Sequence, residues 1–331
     1  MNHNNNFNLL RLIFALLVVY SHSFALLGMR EPEIFGRPLG NVAVHGFFVI
    51  SGYLITESFL RSPKLFAFFW NRALRILPGL IVALVFTRAI YPVFDSFKSN
   101  PIQYVANGPV WTLTWEVVCY ASVALIGVMG VLGRNAMPTL FVVLWIVYLA
   151  NTGNTSNFYG VIAPLMMMFS AGIFLRVAND FTNLKKCAAP VFCLLLFAVH
   201  ESTAGNILDL INSRIDFLWG PELTGADVVR IAYLAAFPVF IVGISLSMPP
   251  LVNLKDDISY GIYVYGWPLA QVMVALSTRT DFRLTPLWLF VCGVLVTLPI
   301  AWCSWRFVER PALRLKIRPS LGFPKPRTSN H

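Results

Sequence analysis

Ten apolar runs dominate the sequence, most of them long enough to cross a bilayer. A spanning helix needs about 20 mostly apolar residues to cover ~30 Å of hydrocarbon. Such runs stand at about 8–27, 40–60, 76–94, 109–132, 136–152, 159–177, 187–200, 228–248, 258–278 and 285–305. The run at 187–200 is short, so the count is about ten. Hydrophobic residues make up 57% of the 331 and charged ones 12%, against roughly 45–50% and about 25% in soluble domains. No soluble core of this size hides that much apolar surface. The sequence therefore predicts an all-α, polytopic membrane bundle of about ten transmembrane helices, where length alone would suggest about two soluble domains.

A net charge of +10 would suit a nucleic-acid binder in a soluble chain. In a membrane chain it is better read as the excess of Lys and Arg on cytoplasmic segments. With the N-terminus inside, 17 of the 25 basic residues fall on inner segments and eight outside or within spans. Both termini are expected in the cytoplasm, and no nucleic-acid partner is expected. The first apolar run follows Arg11 as a signal peptide would, but the next begins barely a dozen residues later, which favours an uncleaved span. Five cysteines lie in or beside apolar runs without zinc spacing, so neither a disulfide framework nor a metal site is expected. The membrane domain is expected over 1–315. A basic tail, 316–331, is expected to be disordered or to lie on the anionic inner leaflet. The polar stretch at about 201–227 reads equally as a lid, an acceptor-recognition loop or a solvated connection.

Ionisable residues inside spans are costly and usually face a cavity or a partner. Arg11 and His22 are eleven residues apart, which at 100° each is about 20° past three turns. They share one helix face, ~16 Å apart along the axis. Counted from the outer end of their spans, His22, His45, Glu116 and Arg88 fall at similar depth. A carboxylate that orients an imidazole is the chemistry of proton removal from a hydroxyl. A charge network that locks helices, or a proton-coupled carrier, uses the same residue types. At the inner side, Arg72 and Arg75 are three apart and so share a face, where adjacent guanidiniums suit phosphate. Positive-inside topology explains them equally, and Arg11 joins that layer. Ser51–Gly52 is a small pair of the kind that lets helices approach closely. Tyr260, Tyr263 and Trp267 recur at helical spacing, more like packing or an interface belt than a site.

The segments "NLLRLIFALLVVYSHSF", "FFVISGYLIT", "RALRILP", "WTLTWE", "SYGIYVYGWPL" and "WRFVERPAL" occur in that order. Together, from about residue 7 to 315, they resemble the membrane-bound acyltransferase-3 family, which O-acylates bacterial surface and exported carbohydrates. The resemblance implies a ten-span bundle in the bacterial inner membrane, with acyl-CoA (usually acetyl-CoA) as cytoplasmic donor substrate and no permanently bound cofactor. It implies a glycan or lipid-linked oligosaccharide as acceptor. It maps the family's functional histidine to His22 and its arginine to Arg11. The family's arginine pair falls on Arg72 and Arg75, and its acidic residue on Glu116. His22 is expected as general base oriented by Glu116, with a covalent acyl-histidine as the variant. Arg11, Arg72 and Arg75 are expected on the donor phosphates. His45, Arg88, Ser51, Tyr263 and Trp267 are candidate site-lining residues. Two departures stand out: Gly266 occupies a place where many members carry histidine, and His45 has no consistent counterpart. No fused extracytoplasmic hydrolase-like domain is expected. The rival readings are a proton-coupled transporter or flippase of a glycan or lipid-linked sugar, and a scaffold subunit of a polysaccharide machine.

Overall fold

A computed structural model of the chain describes residues 5–133, 136–149, 151, 158–178, 191, 225–247, 256–280 and 283–317. Its helices are α1 (Phe7–Ala25), α2 (Leu39–Arg61), α3 (Leu65–Val93), α4 (Trp111–Val128), α5 (Ala136–Leu149) and α6 (Ala163–Ala178). They continue with α7 (Gly225–Ser247), α8 (Ser259–Ser277), α9 (Pro286–Ser304) and the single turn α10 (Arg310–Leu313). A two-residue hairpin, β1 (Glu33–Ile34) with β2 (Arg37–Pro38), joins α1 to α2. A helix stands at every expected run except 187–200, which lies almost wholly outside the described residues. Residues 201–224 and 318–331, the bulk of the expected loop and tail, also lie outside them.

Seven of the described helical segments are long and apolar enough to cross a membrane. Two other helices depart from that pattern for different reasons. The apolar helix α5 has only 14 residues. In contrast, α8 has 19 but places polar groups in the interior: Ser259, Tyr263, Tyr265 and Gln271 are all buried. The outer helices invert this arrangement. Leu77, Ile81, Leu84 and Val85 of α3, Val142 and Ile146 of α5, and Leu287 and Leu295 of α9 are exposed, which suits a lipid solvent and not water. The chain is a multi-pass membrane protein with an apolar surface and a polar centre.

The centre is tight because two glycines face each other. A Cβ on Gly52 of α2 would meet the Phe169 carbonyl oxygen at 2.1 Å, and one on Gly172 of α6 would meet that of Val49 at 2.3 Å. The small residue at position 52 is therefore the crossing point that the sequence suggested. On the other side of α2 lies α1, which runs beside α8.

One connection is folded inward. Between α3 and α4 the chain descends along α8, where Asn100 Nδ2 donates to Gln271 Oε1 (2.6 Å) and Gln271 Nε2 to the Ile102 carbonyl (3.0 Å). Trp267 Nε1 donates to the Val105 carbonyl (3.1 Å), and Asn107 Nδ2 to that of Val264 (2.9 Å). Non-helical backbone at membrane depth needs such partners, because lipid offers none. As a result α4 begins well inside the bundle, at the level of Tyr263 to Trp267. The two ends of the described chain meet at the opposite, basic end of the bundle. There Asn6 N donates to the Ser245 carbonyl (2.9 Å), and Trp70 Nε1 to that of Leu315 (3.1 Å).

Candidate functional site

A cavity of about 310 Å³ opens at the basic end between α1, α2, α3 and α4. Five cationic side chains line it: Arg11, Arg61, Arg72, Arg75 and Lys316. Asp257, two residues before α8, stands behind two of them. Its Oδ2 accepts from Arg11 Nη1 at 3.0 Å and from Arg75 Nη2, and its Oδ1 accepts from Ser259 Oγ at 2.5 Å. Burial alone would raise this carboxyl, but the two guanidiniums and the hydroxyl hold it well below the usual carboxylate range. Arg61 is held by Glu57 (2.6 Å), which also binds Arg176. Arg72 instead lays its guanidinium over the Phe68 ring, 4.8 Å from the centroid. Among the described residues neither Arg72 nor Lys316 has a carboxylate within 4.0 Å.

Glu116 lies deeper in the same cavity. Its Oε1 accepts from Ser51 Oγ (3.1 Å) and from the hydroxyl of Tyr120, one turn further along α4. A second space of about 50 Å³ shares Arg11, Ser51, Glu116 and Tyr260 with the first. It continues along α2 and α8 past Phe47 and Phe48 to Thr112 and Tyr263. There the hydroxyls of Thr112 and Tyr263 share a 2.6 Å hydrogen bond. The two spaces together lead from the basic mouth to Tyr263, with Val44, Phe47, Phe48 and Leu113 lining the narrow part between the polar groups.

His22 lies one helical turn beyond that point. Its ring meets the Trp267 edge at 4.8 Å between centroids and an 87° interplanar angle. Among the described residues its imidazole makes no side-chain hydrogen bond, so both ring nitrogens are unclaimed. The shared face inferred from spacing is present: Arg11 faces Asp257 at the start of α8, and His22 faces Trp267 ten residues later. Ten residues of helix rise ~15 Å, close to the ~16 Å estimated from α1.

Three expectations are corrected. Glu116 does not orient His22, because its carboxylate binds Ser51 and Tyr120 on the arginine side. Counting residues from an assumed common surface misplaced it. The indole of Trp267, which meets His22, also packs on Gly108, where a Cβ would come within 3.1 Å. The α4 segment thus starts level with His22, and Glu116 lies eight residues, ~12 Å, deeper. His45 is buried and its Nδ1 pairs with the Tyr233 hydroxyl at 2.9 Å, so it is a packed core histidine apart from His22. It lines a separate pocket of about 20 Å³, with Arg37 and Trp111. Arg88 is exposed on α3 and lines none of these spaces. Ser51, Tyr263 and Trp267 do stand at the site. Gly266 admits Val19 of α1, whose Cγ2 would sit 2.8 Å from an added Cβ.

The sequence reading missed Asp257, Tyr120, Lys316 and Glu309. The Asp256–Asp257 pair directly before "ISYGIY" was the available signal, two acids at the start of a helix that is otherwise free of charge. Glu309, in the π-helical turn Trp305–Glu309, accepts from Ser304 Oγ (3.0 Å) and packs against Gly79 and Tyr260.

The profile of the acyltransferase domain family known as acyltransferase 3 matches residues 4–306. The chain belongs to the acyltransferase-3 family. Similar proteins agree across nearly the whole length. An O-acetyl transferase of Shigella phage Sf6 is 27% identical over 343 residues, covering 94% of this chain and 96% of that protein. Nodulation protein 10 of Rhizobium leguminosarum bv. viciae is 26% identical, covering 95% and 94%. O-acetyltransferase OatA of Staphylococcus aureus is 24% identical, and the match covers 92% of this chain but 58% of that protein. No solved structure matches. Family and relatives make this acyltransferase-3 chain a membrane enzyme of O-acetylation, not a carrier or a scaffold.

Proposed function

We propose that the enzyme takes an acetyl group from cytoplasmic acetyl-CoA and esterifies a hydroxyl of a surface or exported glycan, or of its lipid-linked precursor. The observation that carries this reading is a cationic mouth that adjoins a narrow, largely apolar space leading to the hydroxyls of Thr112 and Tyr263, with a free imidazole one turn beyond. Arg11, Arg72 and Arg75 face the donor phosphates, and the pantetheine arm follows α8 inward. The mouth is cytoplasmic, in keeping with the basic residues gathered at that end. Both ends of the described chain lie on that side, and the membrane is the bacterial cytoplasmic one. No bound cofactor is required.

In the transfer step the sugar oxygen attacks the thioester carbonyl carbon, forming a C–O bond. The hydroxyl proton passes to a ring nitrogen of His22, the C–S bond breaks, and the proton leaves with the thiolate as CoA–SH. Trp267 fixes the imidazole plane from one side and leaves both nitrogens open. Glu116 acts on the donor side, holding Ser51 and Tyr120 beside Arg11 and Arg72. Residues 1–317 form the transferase unit, since Lys316 and Ile317 line the same cavity as Arg72.

The direct test uses purified full-length protein in lipid nanodiscs, radiolabelled acetyl-CoA and a lipid-linked oligosaccharide from the host. Label should move to the glycan and remain base-labile, as an ester is. Hydrolysis of acetyl-CoA without acceptor labelling, across a panel of glycans, would overturn the glycan assignment.

A further inference from the structure

The arginine pair Arg72 and Arg75 lies on one helical turn, yet the two side chains live in different electrostatic settings. Arg75 shares Asp257 with Arg11, so one carboxylate already binds two of the five cations at the mouth. Arg61 is taken by Glu57. Among the described residues the lining cations without a carboxylate partner are Arg72 and Lys316, and Lys316 comes from the far end of the described chain, 244 residues away in sequence.

Lys316 is exposed at the cavity mouth, but its place there is fixed. The backbone on both sides of it is pinned to α3: Trp70 Nε1 donates to the Leu315 carbonyl at 3.1 Å, and Asn71 Nδ2 to that of Ile317 at 3.0 Å. Asn71 Oδ1 accepts from the Ile317 amide at 2.9 Å. These three hydrogen bonds come from the two residues immediately before Arg72, and Asn71, Arg72, Lys316 and Ile317 all line the cavity. Partial withdrawal from water, and then the nearby guanidiniums of Arg75, Arg72 and Arg11, bring the Lys316 ammonium down to about 8. That crowding of like charge is what a bound anion relieves.

We propose that Arg72 and Lys316 form the phosphate-binding pair of the donor cavity, and that Leu315–Ile317 is a fixed wall of it. In this arrangement Arg75 and Arg11 are its floor, positioned by Asp257. This inference rests on the acyl-CoA reading above. It assigns the phosphates of coenzyme A to one paired fork and one ammonium, with the planar guanidinium backed by Phe68.

The test is calorimetric titration of coenzyme A onto the purified full-length protein, alongside steady-state kinetics with acetyl-CoA. Lys316→Ala should weaken CoA about tenfold or more, raise KM for acetyl-CoA by a similar factor and leave kcat near wild type, the pattern of lost uniform binding. Lys316→Arg should restore most of the affinity. Asn71→Ala, which releases the wall without removing a charge, should weaken CoA in the same direction. Wild-type affinity in both Lys316→Ala and Asn71→Ala, or a fall in kcat at unchanged KM, would overturn the assignment while the acyl-CoA reading stands. If the wild-type protein binds no CoA, both fall together.

Discussion

At one end of α1, Arg11 shares a buried carboxylate with Arg75; at the other, His22 meets the Trp267 indole. The two ends face the same partner helix and handle charge in opposite ways. Around Arg11 the protein brings several cations out of water and must supply acids for them, since an isolated buried charge is costly. Beside His22 stands the neutral Trp267, and among the described residues no side chain hydrogen-bonds to or ion-pairs with the imidazole. In the function proposed above, the difference separates two tasks: anion capture at the basic mouth, proton transfer at the other end. The helix step of eleven residues sets the distance between them.

Breaking the neutral end should have the largest effect. His22→Ala is expected to lower kcat by ~10²–10⁴-fold, the usual contribution of a positioned general base, with CoA affinity unchanged by titration. A parallel loss of CoA affinity would show that the two ends are not separable. Breaking the charged end should act on stability. Asp257→Ala leaves two guanidiniums without their carboxylate and should cost about 3–5 kcal/mol, read as a lowered midpoint of thermal unfolding in detergent. Asp257→Asn keeps a hydrogen-bond acceptor and should cost less.

A milder test uses pH. The Lys316 ammonium lies near 8, so raising pH through that value removes its charge and weakens an anion site. KM for acetyl-CoA should therefore rise between pH 7 and 9 by up to the Lys316→Ala factor, and Lys316→Arg should flatten the profile, because guanidinium stays protonated. The smallest effect is expected from Arg88→Gln. This exposed residue lies off the path, and kcat/KM and thermal stability should both stay at wild-type values, within ~0.5 kcal/mol.

Much of this was legible in the residues because lipid enforces simple rules. Apolar length located the helices, since a span must cover the hydrocarbon with one continuous run. Period located faces, which is why Arg11 and His22 do look at the same helix. Depth was not legible in the same way. Counting from the outer end grouped His22, His45, Glu116 and Arg88 in one stratum, and the structure puts Glu116 deeper and gives His45 and Arg88 surroundings of their own. His45 is bonded to Tyr233, Glu116 lies beside Ser51, and Arg88 is exposed. The count assumed that every helix starts at the surface, and α4 starts inside because the segment before it is held on Trp267 and Gln271.

By itself the sequence determined the all-α membrane bundle, the face shared by Arg11 and His22, and the close approach at Gly52. These follow from local periodicity and from the composition that lipid requires. Which charges pair was settled by the three-dimensional packing. Asp257 reaches Arg11 and Arg75 across 246 and 182 residues, and Lys316 comes to Arg72 by way of a backbone held on Trp70 and Asn71. Pairing between ionic groups depends on distance in space, which no spacing along one helix encodes.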